Sequence, residues 1–148
     1  MVNRWWELVD ANRGIGRFTR HAKPGLLQPP VNVLRLSLHP DGMAPRIANL
    51  PEWREHLLTR LHRQAEATGD KRLADLHEEL QAYPGGPAQS RPAAAGVVVP
   101  LRYRGEDDTE LSFLSITAVL GTPMDVTVEE LAIESFYPAD EQTARALG

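Results

Sequence analysis

The side chains able to do chemistry are few and badly spaced for it. His39 and Asp41 stand two residues apart, a pair that could orient an imidazole or hold a metal, but two ligands without a third do not make a site. Asp41 bonding its own backbone in a turn is the simpler role. His56 falls with Arg60 and Arg63 on the polar side of a helical repeat with no H-E-x-x-H spacing anywhere, so it reads as solvated, as do His62 and His77. Glu130 and Glu134 share one strand face but lie roughly 13 Å apart at the strand rise, too far for a paired acid and base; a solvated face is the reading. Gly14-x-Gly16 lacks the third glycine of a dinucleotide fingerprint. No G-x-x-x-x-G-K-[ST] and no G-x-S-x-G occurs. The pattern therefore predicts no enzyme, no metal and no cofactor.

Composition narrows the class further. The 148 residues are 42% hydrophobic and 24% charged, as expected of one soluble domain spanning 1–148. Sixteen Lys and Arg against 20 Asp and Glu give a net charge of −4, without the positive field on which phosphate-backbone binding depends. Residues 1–95 carry 13 basic and 10 acidic groups, residues 96–148 carry 3 and 10; such asymmetry orients a partner or simply marks solvated faces of opposite sign. The absence of cysteine excludes disulfides, thiolate catalysis and Cys-ligated centres. No apolar run approaches the roughly 20 residues of a membrane span, and residues 1–20 carry no signal-peptide core. A cytoplasmic location is expected.

The elements that would position a site follow from periodicity and punctuation. Trp5 to Ala11 reads as a short strand, with Asn12 capping a short helix over Arg13 to Ala22. Val33 to Leu38 fits a buried strand or a helical face, and Asn32 as a cap after Pro29-Pro30 favours helix. His39-Pro40-Asp41-Gly42 is a turn in which Gly42 is expected to supply a positive φ. Trp53, Leu57, Leu58, Leu61 and Ala65 recur at helical spacing; Gly69 stops that helix and Asp70 caps another carrying Leu73, Leu76 and Leu80. Residues 83–96, rich in Pro, Gly and Ala, read as a flexible internal loop. Three strands follow: Val97 to Arg104, with Val99, Leu101 and Tyr103 on one face and Pro100 favouring an edge; Leu111 to Leu120, apolar enough to be central and covered on both faces; and Glu130 to Tyr137, with Leu131, Ile133 and Tyr137 opposite Glu134. Asp140 begins a terminal helix. Helices then strands, without βα alternation, predict an α+β domain with helices on an antiparallel sheet.

The wording of the sequence also carries a resemblance. Asn3-Arg4-Trp5-Trp6, the run Pro30-Val31-Asn32-Val33-Leu34-Arg35-Leu36-Ser37-Leu38-His39-Pro40-Asp41-Gly42, Trp53-Arg54-Glu55-His56-Leu57-Leu58, Val99-Pro100-Leu101, Gly121-Thr122-Pro123-Met124-Asp125-Val126 and Phe136-Tyr137-Pro138-Ala139-Asp140 occur in an order that resembles the ligand-binding domain of MmyB-like transcription regulators, from about residue 2 to 147. The resemblance implies a PAS-like fold, an antiparallel sheet with helices packed on one face, in a regulator whose amino-terminal helix-turn-helix binds DNA. It also implies a small lipid-like or fatty-acid-like ligand between sheet and helices. The helix-turn-helix is not within these 148 residues, which begin where the family would be finishing its first sheet strand, so DNA is a partner only through that separate domain.

The candidate ligand-binding residues are Trp6, Leu34, Arg35, Leu38, Met43, Leu57, Leu61, Phe113, Leu114, Ile116 and Phe136. Pockets are mainly apolar with a few orienting polar groups, but the same residues could fill a closed core. Arg35, inside an apolar run, either faces a ligand or pairs with an acid. The function expected is ligand sensing, with a ligand-free dimerisation or partner-docking module, a homodimer, as the alternative.

Overall fold

The computed structural model describes residues 1–85, 98–120 and 131–148. Several of its helical segments begin where short polar side chains satisfy free backbone donors. The Asn12 side chain accepts from the Gly14 N–H and starts a 3₁₀ turn, Arg13–Ile15, that runs into α1, Gly16–Thr19. A second such turn, Pro24–Leu27, and a cis Pro29–Pro30 bond lead to α2, Val33–Leu38, whose first N–H groups at Leu34 and Arg35 both donate to Asn32. The long α3, Leu50–Thr68, ends at Gly69 with φ +64°, a conformation glycine adopts without penalty. Asp70 then accepts from the Arg72 N–H and opens α4, Lys71–Gln81.

The sheet has three antiparallel strands in the order β1, Leu101–Arg104, then β2, Glu110–Leu120, then β3, Leu131–Pro138. Leu101 faces Phe113 across the first pair and Thr117 faces Glu134 across the second. Beyond Pro138 the partner of β2 is the start of α5, Glu141–Leu147: the Ala139 N–H donates to the Ser112 carbonyl and the Ser112 N–H to the buried Thr143 hydroxyl, each at 2.8 Å. One apolar core joins Leu34, Leu36 and Leu38 of α2 to Trp53, Leu57, Leu58 and Leu61 of α3, to Leu73, Leu76 and Leu80 of α4, and to Leu101, Tyr103, Leu111 and Phe113 of the sheet. This is the α+β architecture expected, with α3 against one sheet face and β1 at an edge.

Four expectations need correction. Trp5 to Ala11 forms no strand: the Asn3 side chain accepts from both the Trp5 and Glu7 N–H groups, and Trp6 takes φ +66°. That local bonding uses the donors a ladder would need, and only isolated bridges remain, among them Val2 to Ala132 at the free edge of β3. The second correction is that β2 is central but not covered on both faces, since Leu114 and Ile116 are exposed on the side away from the helices. Third, β3 is turned over relative to the amphipathic expectation: Glu134 points at α3, while Ile133 and Tyr137 share the outer face with Leu114 and Ile116. Fourth, Gly42 does not adopt a positive φ; it is needed because a Cβ there would lie 2.2 Å from the Leu36 carbonyl oxygen. The turn itself is held by His39, whose Nδ1 accepts from the Asp41 N–H, while Asp41 pairs with Lys23. The loop expected over 83–96 lies, beyond Gly85, outside the described residues, as do Val97 and residues 121–130.

Candidate functional site

The sheet face toward the helices changes character along its length. At one end Tyr103 and Phe113 are sealed in the core; four residues further along β2, at Thr117, the face becomes polar and then opens into a cleft of about 240 Å³. Arg60 and Gln64, one turn apart on α3, stand over it; Thr117 and Val119 of β2, Leu131 and Ala132 of β3, and Val2, Asn3, Arg4 and Trp6 of the amino-terminal segment complete the wall.

The polar groups form one connected network. An Arg60 Nη donates to Thr117 Oγ1 and to Glu134 Oε1, both at 2.6 Å, and the Thr117 hydroxyl donates to the same carboxylate oxygen at 2.7 Å. The Arg60 guanidinium carbon lies 4.6 Å from the centre of the Trp6 ring, within cation–π range. The Trp6 indole N–H donates to Gln64 Oε1 at 2.7 Å, and Gln64 Nε2 donates to the Arg4 carbonyl at 2.9 Å. Among the described residues the only charged side chains on the cleft wall are the two arginines, Arg4 and Arg60. Arg4 Nε is buried with no hydrogen-bond partner among the described residues, 4.0 Å from Asp70. The cleft is thus amphipathic: an aliphatic floor from strands and an anion-favouring rim. His56, expected to be solvated, is half-buried against Trp53 instead; burial first and the nearby Arg60 second push its pKa down.

A second groove, about 250 Å³, lies on the other side of the amino-terminal segment and is lined by Trp5, Glu7, Arg35, Arg72, Asp75 and Glu79 among others. Its charges are internally matched. Arg35 makes a two-pronged pair with Glu79, Nε at 2.6 Å and Nη2 at 2.8 Å, tying α2 to α4. Glu79 also accepts from the Tyr83 hydroxyl. The Arg35 bonds hold the Glu79 carboxyl below its ordinary range, and burial together with Glu79 pushes the Tyr83 phenol up to about 12. Of the two roles open to Arg35 in the sequence, the structure shows the ion pair.

The candidate residues are dispersed by this geometry. Trp6 lines the cleft and Arg35 the second groove. Leu34, Leu38, Met43, Leu57, Leu61 and Phe113 are each at most 7% exposed, inside the core. Leu114 and Ile116 are on the outer face, and Phe136 lies on the inner face beside Phe18. The residues that sequence reasoning missed are Arg60, Gln64, Thr117 and Glu134. Their signal was faint: a polar i, i+4 pair on the amphipathic helix, which a solvated face shows equally well. Among the described residues no group of three or more His, Asp or Glu could hold a metal ion, and no helix is long and apolar enough to cross a membrane.

An open antiparallel sheet with helices on one face, and between them a small cleft with an aliphatic floor and arginine rim, defines an α+β domain. The chain belongs to the MmyB-like transcription regulator ligand binding domain family, whose model matches residues 1–148. No curated protein and no solved structure matches it significantly. The family is one of regulator ligand-binding domains, which supports a ligand-sensing role for this chain.

Proposed function

We propose that this is the non-enzymatic, PAS-like effector domain of a cytoplasmic bacterial regulator, and that a small apolar or fatty-acid-like molecule enters the cleft between α3 and the β2–β3 pair. The observation that carries the reading is the wall itself: Val2, Val119, Leu131 and Ala132 offer apolar surface, while the charged lining is arginine alone among the described residues. At about 30 Å³ per water-sized group the cleft accommodates about eight heavy atoms, so the carbon chain of an octanoate-sized acid fits with its two carboxylate oxygens outside at the rim, competing with Glu134 for Arg60. DNA would be contacted by a helix-turn-helix elsewhere in the regulator, and the ligand would act by shifting the population of its conformations.

Calorimetry with octanoate and octan-1-ol tests this. Octanoate binding is expected, weaker binding of the alcohol, and loss of both in Val119→Trp, whose indole fills the cleft. Octanoate binding unchanged in both Val119→Trp and Arg60→Met would refute the assignment. A second reading, self-association, is favoured by one observation: Leu114, Ile116 and Tyr137 expose 37%, 58% and 53% of their surface on one sheet face. Sedimentation that shows a monomer at high concentration would remove it.

A further inference from the structure

Phe18 is the one aromatic side chain of α1, and it rests on three rings of the sheet: Tyr103 at 5.2 Å, Phe113 at 5.4 Å and Phe136 at 5.6 Å between centroids. The segment that carries it is otherwise loosely held. None of residues 11–22 is buried. Their backbone hydrogen bonds are among themselves: Ile15 to Asn12, Arg20 to Gly16 and Ala22 to Thr19. Ties to the rest of the chain come just outside, where Val9 and Asp10 bond Met1, and where Lys23 bonds Asp41. Among the described residues the single polar side-chain tie from this segment to the body is Arg20 to Glu106, which is exposed. Few buried contacts and no backbone bonds to the body are the marks of a low-stability unit. Beneath Phe18, Tyr103 is 1% exposed and its hydroxyl has no hydrogen-bond partner among the described residues. A buried hydroxyl left unpaired costs stability, and such groups call for an explanation. Burial also pushes this phenol's pKa up, so it stays a donor.

We propose that residues 11–22 form a lid and that Phe18 plugs a second binding site, which takes an apolar molecule of aromatic size bearing one hydrogen-bond acceptor, held on Phe113 and Phe136 with Tyr103 Oη as donor. The lid hinges at Asp10 and Lys23, where its backbone bonds to the body begin. Unlike the open cleft, this site is walled by rings; the cation felt at the Tyr103 phenol, Arg46, is itself held by the Arg104 and Gly105 carbonyls. The proposal is independent of what the open cleft binds.

The test uses acetophenone, which carries the acceptor, and ethylbenzene, which lacks it, with hydrogen exchange and calorimetry on the whole chain. Acetophenone is expected to accelerate exchange at the Gly16, Arg20 and Ala22 amides of the wild type, as the lid is displaced. Phe18→Ala should lower Tm by less than about 8 °C, because only a lid is released, whereas truncating an ordinary core phenylalanine costs more. It should also bind acetophenone about tenfold more tightly than wild type, since the plug no longer competes. Adding Tyr103→Phe should then weaken acetophenone about fivefold, the worth of one hydrogen bond, and leave ethylbenzene unchanged. Unchanged or slowed exchange in the lid overturns the proposal, as does a larger fall in Tm. Equal loss of both compounds, or of neither, in the double variant removes Tyr103 as the donor.

Discussion

Replacing Arg60 by methionine separates the two things that this residue does at the cleft, since methionine keeps length and apolar contact with Trp6 but abandons Glu134. The Glu134 side chain is 14% exposed and Arg60 30%, with their charged atoms 2.6 Å apart. Removing one partner of a fully buried pair costs about 3–5 kcal/mol, mostly the penalty of the charge left behind. Here Arg60 is partly wet and Thr117 still donates to the carboxylate, so a loss of about 2 kcal/mol is expected, or about 4–8 °C in Tm for a chain of this size. The double variant Arg60→Met with Glu134→Leu should recover to within about 0.5 kcal/mol of wild type, because apolar replacement of a buried pair is often neutral. Urea denaturation of all four members of the cycle gives the coupling directly. A loss under about 0.5 kcal/mol for the single variant, or a double variant less stable than the single one, would refute the claim that Glu134 is held inward by Arg60. The same variant has a spectroscopic check: Arg60 contributes to lowering the His56 pKa, so His56 should titrate at higher pH in Arg60→Met, read by NMR.

Other expectations are local. Gly42→Ala should destabilise by about 1–3 kcal/mol by thermal melt, because the Leu36 carbonyl that its Cβ would meet is fixed by the Met43 N–H at 2.9 Å. Trp53→Phe leaves the buried Ser37 hydroxyl without its indole partner at 3.0 Å; a cost of about 1–2 kcal/mol is expected, largely restored by adding Ser37→Ala. The Glu79 carboxyl lies below its ordinary value of 4.5, chiefly through Arg35. Its folded pKa is therefore lower than its unfolded one, so the pairing contributes above the unfolded value and is lost as pH falls through the folded value. Glu79→Gln should flatten the acid limb of the stability curve below pH 4.5 while leaving its slope at neutral pH unchanged.

The helical half was legible because its signals are local. Asn32, Asp70 and Gly69 act on N–H groups or carbonyls within four residues, and each sits where the sequence places it. Trp5 to Ala11 failed for a reason equally local but unweighted: Asn3 lies ahead of the alternating run, and its side chain captures two N–H groups inside it. The strand β3 is a different case. Alternation shows that the two sides of a strand differ, and burial of the apolar side is then an inference. Here the acidic side faces inward, because Glu134 meets a cation 74 residues earlier in the chain and a hydroxyl on the neighbouring strand. No pattern within the strand carries that information, and a separation of 44 residues likewise hides the Glu79 partner of Arg35.

The two adjacent tryptophans bind these features into one unit. In an ordinary extended backbone Trp5 and Trp6 would simply alternate sides; with Trp6 at φ +66° they splay, Trp6 bonding Gln64 on α3 and Trp5 bonding Asp70 at 2.9 Å. Asp70 is at the same time the cap of α4 and the partner of Arg72 N–H. A non-glycine residue held left-handed costs about 1–3 kcal/mol unless its surroundings over-determine it, and here two indole hydrogen bonds, two Asn3 bonds and Arg72 stacked 4.1 Å from Trp5 do so. Relaxing Trp6 out of that conformation releases both indoles together. The Trp6 wall of the cleft and the cap of α4 are therefore joined through one dipeptide, Trp6 holding Gln64 and Trp5 holding Asp70.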